Sequence, residues 1–327
     1  RVAQQMLDRQ NAVLAMDAIE TANQVSSILD NSARDVQVMG LIAPTEKNLL
    51  QFYLSRVSEV TELDPRDESV TVIPLPIYSD ISFFSLDGDE QIRLKHGKRS
   101  QELRKKFRCL PTEPCDPALF NSARELKVGQ MLFGGVLRWY TRRGESESLD
   151  GAILPVIGRS ERGYYLLGVD YRFIKEILMH PTFPYEARRD LLQSYQNGNY
   201  IYMVDSNFDM LTHPKTWHVT GFDRTTAARV TPMKVDADEG SHPLNVQKYQ
   251  GERLRDYFER LLKRSFLQKS VDIFQASNLK GTNRVLSVAP ILTNRGQFKQ
   301  SGVYGYVILG CNVDYFEEPK EKYVPYY

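Results

Sequence analysis

The sequence predicts an α+β chain in which a long N-terminal helix is followed by two antiparallel-sheet modules in tandem. Three observations predict it. A strand pattern occurs twice: Gly163-Tyr164-Tyr165-Leu166-Leu167-Gly168-Val169-Asp170 returns as Gly305-Tyr306-Val307-Ile308-Leu309-Gly310-Cys311-Asn312-Val313-Asp314, a glycine, an apolar run and a terminal aspartate before aromatic residues. Each copy is preceded by an apolar strand closed by turn formers, Tyr78 to Gly88 and Tyr200 to Asn207. Residues 2 to 38 contain neither proline nor glycine.

In that first stretch Ala15, Ala18, Ala22, Val25, Leu29, Ala33 and Val36 recur at three- and four-residue steps, the stripe of one helical face. A helix of this length spans roughly 55 Å. It must run alongside two modules, pair with a second chain, or both. Gly40 and Pro44 end it, and a shorter helix is expected from Glu46 to Val60. Ile81-Ser82-Phe83-Phe84 and Gln91-Ile92-Arg93-Leu94 flank Asp87-Gly88 and read as a hairpin. A basic helix is expected from Ser100 to Phe107, then a proline-containing loop with Cys109 and Cys115. A disulfide there suits an oxidising compartment, and two unpaired thiols are the alternative. Met131 to Tyr140 and Ala152 to Ile157 read as strands. The connector from Tyr171 to Gln196 carries helical patterns at Phe173–Met179 and Ala187–Tyr195.

The second module repeats the plan. Tyr200 to Val204 and Met210 to Thr212 form a hairpin, and Lys234 to His242 an exposed loop. Val246 to Phe274 reads as a helix, and Arg284 to Leu292 and Val303 to Val313 as the closing strands. The tail from Phe316 to Tyr327 is charged, then aromatic. The expected divisions are 1–62 for the helical spine, 63–180 for the first module, and 181–327 for the connector and second module.

Composition narrows function. The chain has 327 residues, 42% of them hydrophobic, and its 42 basic and 41 acidic side chains nearly cancel. That balance argues against a dedicated nucleic-acid binder. The run Arg104, Lys105, Lys106, Arg108 lacks interleaved stacking aromatics and reads as a solvated helix face. No apolar run approaches the roughly 20 residues needed to span a bilayer. The chain starts at Arg1, within the helical pattern, and is expected to be a piece of a longer protein. His213, His218 and His242 fit no compact ligand set, so no metal and no cofactor are expected. Phosphate loop, nucleophile elbow and His-Glu-x-x-His signatures are missing, which argues against an enzyme.

The order of these pieces resembles the double Cache family, the tandem PAS-like extracytoplasmic sensors of bacterial and archaeal membrane receptors. The resemblance rests on Ile81 to Ile92, the Gly163 to Asp170 strand, and Tyr202 to Pro214 with its His-Pro step, and covers nearly the whole chain. It implies two PAS-like modules, a small ligand held in the membrane-distal one, a homodimer through the N-terminal helix, and a membrane-anchored parent protein facing the periplasm or the cell exterior. Its amino-acid-binding branch uses an Arg-x-Trp-Tyr motif and a later aspartate. Here Arg138, Trp139 and Tyr140 are contiguous, so Arg138 and Tyr140 share one strand face and Trp139 takes the other.

The candidate ligand residues are therefore Arg138, Trp139, Tyr140, Tyr165 and Asp170. Arg138 can clamp a carboxylate or sit in a surface ion pair. Asp170 can hold an ammonium or cap the helix that begins at Tyr171. The expected function is ligand sensing for a kinase, cyclase or chemoreceptor output. The alternatives are a binding or adhesion ectodomain without signalling, or an unrecognised enzyme.

Overall fold

The computed structural model describes residues 2–63, 70–145, 151–179, 200–264, 272–277 and 283–312. Helix α1 (Val2–Leu41) is followed by α2 (Glu46–Ser55) and a two-stranded ribbon, β1 (Val57–Leu63) with β2 (Val70–Pro76). The first module contains β3 (Tyr78–Phe84), β4 (Glu90–Lys95), β5 (Lys98–Arg99), α3 (Pro117–Arg124), β6 (Met131–Phe133), β7 (Ile153–Arg159) and β8 (Tyr164–Asp170). Helix α4 (Tyr171–Met179) leads on. The second module contains β9 (Tyr200–Asp205), β10 (Met210–Thr212), α5 (Glu252–Arg264), β11 (Asp272–Ser277), β12 (Asn283–Leu292) and β13 (Val303–Asn312).

The two sheets share one topology. The first runs β5-β4-β3-β8-β7-β6 and the second β10-β9-β13-β12-β11, all neighbours antiparallel. Without the two-residue edge strand β5, each has its first strand paired to its last and its second strand outside. The repeated glycines enforce the match. A Cβ on Gly163 would lie 2.0 Å from the Phe84 carbonyl oxygen, and one on Gly305 would lie 2.1 Å from that of Val204. Only glycine lets the closing strand begin so close to the opening one.

Helix α1 is the spine of both modules. Ala18, Ala22, Val25, Leu29, Ala33, Val36 and Met39 are buried. They share one core with Ile81, Phe83, Leu154, Tyr165 and Leu167 of the first sheet and Met203, Ala289, Ile291, Val307 and Leu309 of the second. Alternation along the strands sends the other side chains to the opposite faces. The buried hydroxyls on α1 are satisfied locally: Thr21 and Ser32 donate to the carbonyls of Asp17 and Ile28 at 2.8 and 2.7 Å. Asp35 binds the Arg56 guanidinium at 3.0 Å and accepts the Tyr78 hydroxyl at 2.7 Å.

Several expectations are corrected. The second helix ends at Ser55 and the chain enters β1 at Val57, because Val57 and Val60 belong to a β-ribbon rather than to the helical stripe. No helix forms over Ser100 to Phe107. Lys106 and Phe107 have φ of 48° and 53°, which an α-helix excludes. The strand expected over Met131 to Tyr140 is regular only to Phe133. The helix expected over Val246 to Phe274 begins only at Glu252 and is described to Arg264, and Asp272–Ser277 is an edge strand. Cys109 and Cys115 form a disulfide, Cα to Cα 5.7 Å. The expected helix at Ala187–Tyr195 and the tail from Phe316 lie outside the described residues.

Candidate functional site

The face of the first sheet turned away from α1 is divided in two. One half is apolar: Phe84, Tyr164, Leu166 and Ile157 pack under Phe107, Leu119, Phe120 and Leu132. Asp116 holds α3 over them, accepting the Ala118 N–H at 2.9 Å with Pro117 in the first turn. The other half is a buried charge network. Arg93 is fully buried and binds Asp80 through Nη2 at 2.6 Å; its two terminal nitrogens also form a fork on Glu113. Arg104 binds Glu90 at 2.9 Å and Glu113 at 3.0 Å.

Strand pleating puts these groups together. Asp80 and Ser82 share the cap face of β3, and Arg93 stands opposite Ser82 on β4. Glu113 comes from the loop that the disulfide closes, and Arg104 from the segment just before it. Burial alone would push the Asp80 and Glu113 carboxyls up. Arg93 and Arg104 more than offset it, so both are held below the usual carboxylate range. Glu90 remains raised, because its burial outweighs the pull of Arg104.

Beside this network lies a cavity of about 60 Å3. Ser79 and Asp80 form its floor, Lys95 and His96 one side, Arg104 and Glu113 the cap, and Trp139 and Ile153 the opposite wall. By the same measure one water needs about 10–15 Å3, so the space suits a molecule of a few heavy atoms.

Of the five residues singled out in the sequence, Trp139 lines this cavity. Tyr165 faces the spine, where its hydroxyl donates to the Ile42 carbonyl at 2.9 Å. Asp170 accepts the backbone N–H of Arg172 at 3.0 Å and its guanidinium at 2.9 Å, the geometry of a helix cap. Arg138 is buried, and its guanidinium donates to the Trp139 carbonyl and to Thr141 Oγ1 at 3.2 and 2.9 Å. The Tyr140 hydroxyl donates to the Trp217 carbonyl at 2.9 Å.

The Arg138-Trp139-Tyr140 segment is instead the junction between modules. Trp139 bridges Phe222 of the second module; Phe222 N donates to Arg138 O at 2.9 Å and Tyr140 N to Phe222 O at 2.8 Å. A Cβ on Gly221 would fall 2.9 Å from the Tyr140 Cα, so the two backbones touch. Trp139 thus has its side chain at the cavity and its backbone on the neighbouring module.

The network residues Asp80, Arg93, Arg104 and Glu113 were not among the sequence candidates. Their signal is an ionisable residue on the inner face of an otherwise apolar strand, as at Asp80 and Arg93. Arg104, expected on a solvated face, is buried. His213, His218 and His242 do not meet as a metal-binding group among the described residues.

No family model and no curated protein matches the chain. Solved structures do. A domain of a sensory box/GGDEF family protein from Vibrio parahaemolyticus is 13% identical, with 97% of this chain and all of that one covered at a TM-score of 0.54. The periplasmic sensory domain of a Campylobacter jejuni chemoreceptor is 11% identical, with 97% and 100% covered at a TM-score of 0.50. The coverage takes in the spine and both sheets, so the chain has the fold of these sensory domains, a long helix alongside two antiparallel sheets in tandem.

Proposed function

We propose that the chain is the extracytoplasmic ligand-sensing domain of a membrane-anchored receptor, with the ligand in the first, membrane-distal module. The observation that carries this reading is Trp139: one residue contributes both a cavity wall and the backbone bridge to the second module. A ligand pressing on Trp139 changes the junction that joins the two sheets along α1. Such a shift requires different affinity for the two arrangements of the modules. No helix among the described residues is long and apolar enough to cross a membrane, so anchoring would rest on segments beyond them. The division into a spine (1–62), a distal module (63–180) and a proximal module (181–327) is part of this proposal.

The spine also carries Val13, Met16 and Ile19 at three-residue steps, 47%, 68% and 39% exposed. We propose that this stripe pairs with a second copy in a homodimer. Sedimentation of the Met16→Glu variant tests that pairing: dissociation supports it, and unchanged mass removes it.

The test of sensing is a thermal-shift screen of amino acids, organic acids, amines and purines, followed by calorimetry on Trp139→Ala. A stabilising compound whose affinity falls about tenfold in the variant places the ligand at the junction. A compound indifferent to Trp139 moves the site elsewhere.

A further inference from the structure

We propose that the first-module cavity receives a small carboxylate of about four to six non-hydrogen atoms, held by Arg104 Nε, Ser79 Oγ and the Lys95 ammonium against Trp139. The proposal rests on reading this cavity as the sensory site.

The hydrogen-bond inventory of the wall carries the argument. Its carboxylate acceptors, and that of Glu90 behind them, are spent. Asp80 accepts Arg93 Nε and Nη2 at 3.2 and 2.6 Å and the Ser82 hydroxyl at 3.1 Å. Glu113 accepts the Arg93 fork and Arg104 Nη2. Glu90 accepts the backbone N–H and Nη1 of Arg104 at 2.8 and 2.9 Å. The donors are not spent. Arg104 is 4% exposed and its Nε has no partner; Ser79 is 4% exposed and its Oγ has none. Both residues line the cavity, as does Lys95, which joins no ion pair among the described residues.

A guanidinium Nε–H is donor only, so its missing partner must be an acceptor. A carboxylate supplies two acceptor oxygens, and charge-assisted bonds to guanidinium and ammonium are the strong class. An amine is disfavoured twice: it brings positive charge to the Arg104 and Lys95 cations, and the carboxylates that would receive it already hold arginines. An α-amino acid meets the same objection at its ammonium end. Charge agrees. Arg93, Arg104 and Lys95 balance Asp80, Glu90 and Glu113, so an entering anion meets a neutral shell rather than a negative one. Trp139 and Ile153 supply the apolar wall for a short carbon chain.

The test is isothermal titration calorimetry of the whole chain in carboxylate-free buffer, with acetate, propionate and pyruvate as probes. Acetamide, ethylamine and alanine are the controls. The expected result is that one of the three carboxylates binds and acetamide binds about tenfold more weakly or not at all. Lys95→Met should weaken the carboxylate about tenfold or more, and Ser79→Ala severalfold. Lys95 is half-buried and outside the ion-pair network, so its variant retains the fold, which thermal unfolding checks. Carboxylate binding unchanged in both variants overturns the assignment. Ethylamine or alanine bound in a Trp139-dependent manner, with no carboxylate bound, overturns the ligand class and leaves the sensory reading standing. No binding by these probes or by any compound of the wider screen means that the cavity holds water only, and both readings fall.

Discussion

The two modules share a strand order and differ in what fills the face away from the spine. In the first, five ionisable groups, a disulfide-closed loop and a cavity occupy half of that face. In the second, Tyr202, Val204, Val288, Tyr306 and Ile308 meet Leu254, Tyr257, Phe258 and Leu261 of α5 in an apolar core. The contrast teaches that topology and filling are specified separately. Gly163 and Gly305 set the same strand crossing, while Asp80, Glu90 and Arg93 on the strands, with Arg104 and Glu113 above them, turn one cap polar. A polar cap beside a cavity suits recognition; an apolar cap under a helix suits a rigid core.

The largest expected effect breaks the polar cap. Arg93→Met leaves Asp80 and Glu113 buried without their main partner, at a cost of about 3–5 kcal/mol. The matching change in the apolar cap, Leu261→Ala, removes a fully buried side chain and costs about 2–5 kcal/mol. Urea unfolding measures both. The carboxyls separate them by pH. Their folded pKa values are depressed, so their stabilisation is present above the unfolded value near 4 and is lost as pH falls through the folded one. The Arg93 variant should lose that acid-side slope, whereas the Leu261 variant should keep it. An Arg93→Met cost below about 1 kcal/mol would mean the network is not what holds this cap.

A second pair of variants sharpens the likeness rather than the difference. Gly163→Ala and Gly305→Ala each drive a Cβ into the facing carbonyl, and each should cost about 1–3 kcal/mol. Equal losses support equivalent crossings; a loss in one module only breaks the equivalence.

The sequence disclosed the shared part of the molecule and hid the part that differs. The spine was legible because Ala18 to Val36 keep helical spacing over many turns. The modules were legible because their strands are apolar and end at glycine or aspartate. The ribbon β1–β2 was hidden because Val57 continues the spacing of Leu49, Tyr53 and Leu54, so a helix and a strand compete for the same residues. The charge network was hidden because Arg104 and Glu113 reach Asp80 and Arg93 only through tertiary folding. Arg138 and Tyr140 attracted notice as chemistry, yet their backbones and the Tyr140 hydroxyl join the modules. Trp139 was legible as a candidate ligand residue, but not as a bridge.

Next in size is the disulfide, which also belongs to the first module alone. Its six-residue separation closes a short loop, and Cys109→Ser with Cys115→Ser should cost about 2 kcal/mol. The loop carries Glu113 and follows directly on the segment of Arg104, so the loss should be accompanied by faster proteolysis there. The second module should retain its resistance. Equal loosening of both modules would show that the caps are coupled through the junction at Trp139.

The smallest effect reverses the roles of the modules. His213 and His218 lie with ring centroids 4.8 Å apart in the second module. Burial pushes both pKa values down; His218 and Lys215 add to this at His213, while the Glu239 carboxylate, 3.7 Å from His218 Nε2, only partly restores His218. Arg253 and Lys215 bind that carboxylate at 2.8 and 3.4 Å, and Tyr202 flanks His213. Both rings are therefore neutral in the fold at pH 7. An unfolded histidine titrates near 6.5, so the unfolded chain gains protons first and stability falls as pH drops below that value. Asp205, pushed up to about 6 by burial and by Asp209, works in the opposite direction, because the fold then takes up its proton first. Comparing the protein with His213→Asn, His218→Gln isolates the rings: Asn supplies the acceptor that Lys215 N now finds on His213 Nδ1 at 2.9 Å. Between pH 7 and 5 the unsubstituted chain should lose about 1 kcal/mol more than the variant in urea unfolding. Equal losses would mean that the folded rings titrate like unfolded ones. The apolar module would then be no more acid-sensitive than the charged one, whose Asp80 and Glu113 carboxylates stay ionised to lower pH.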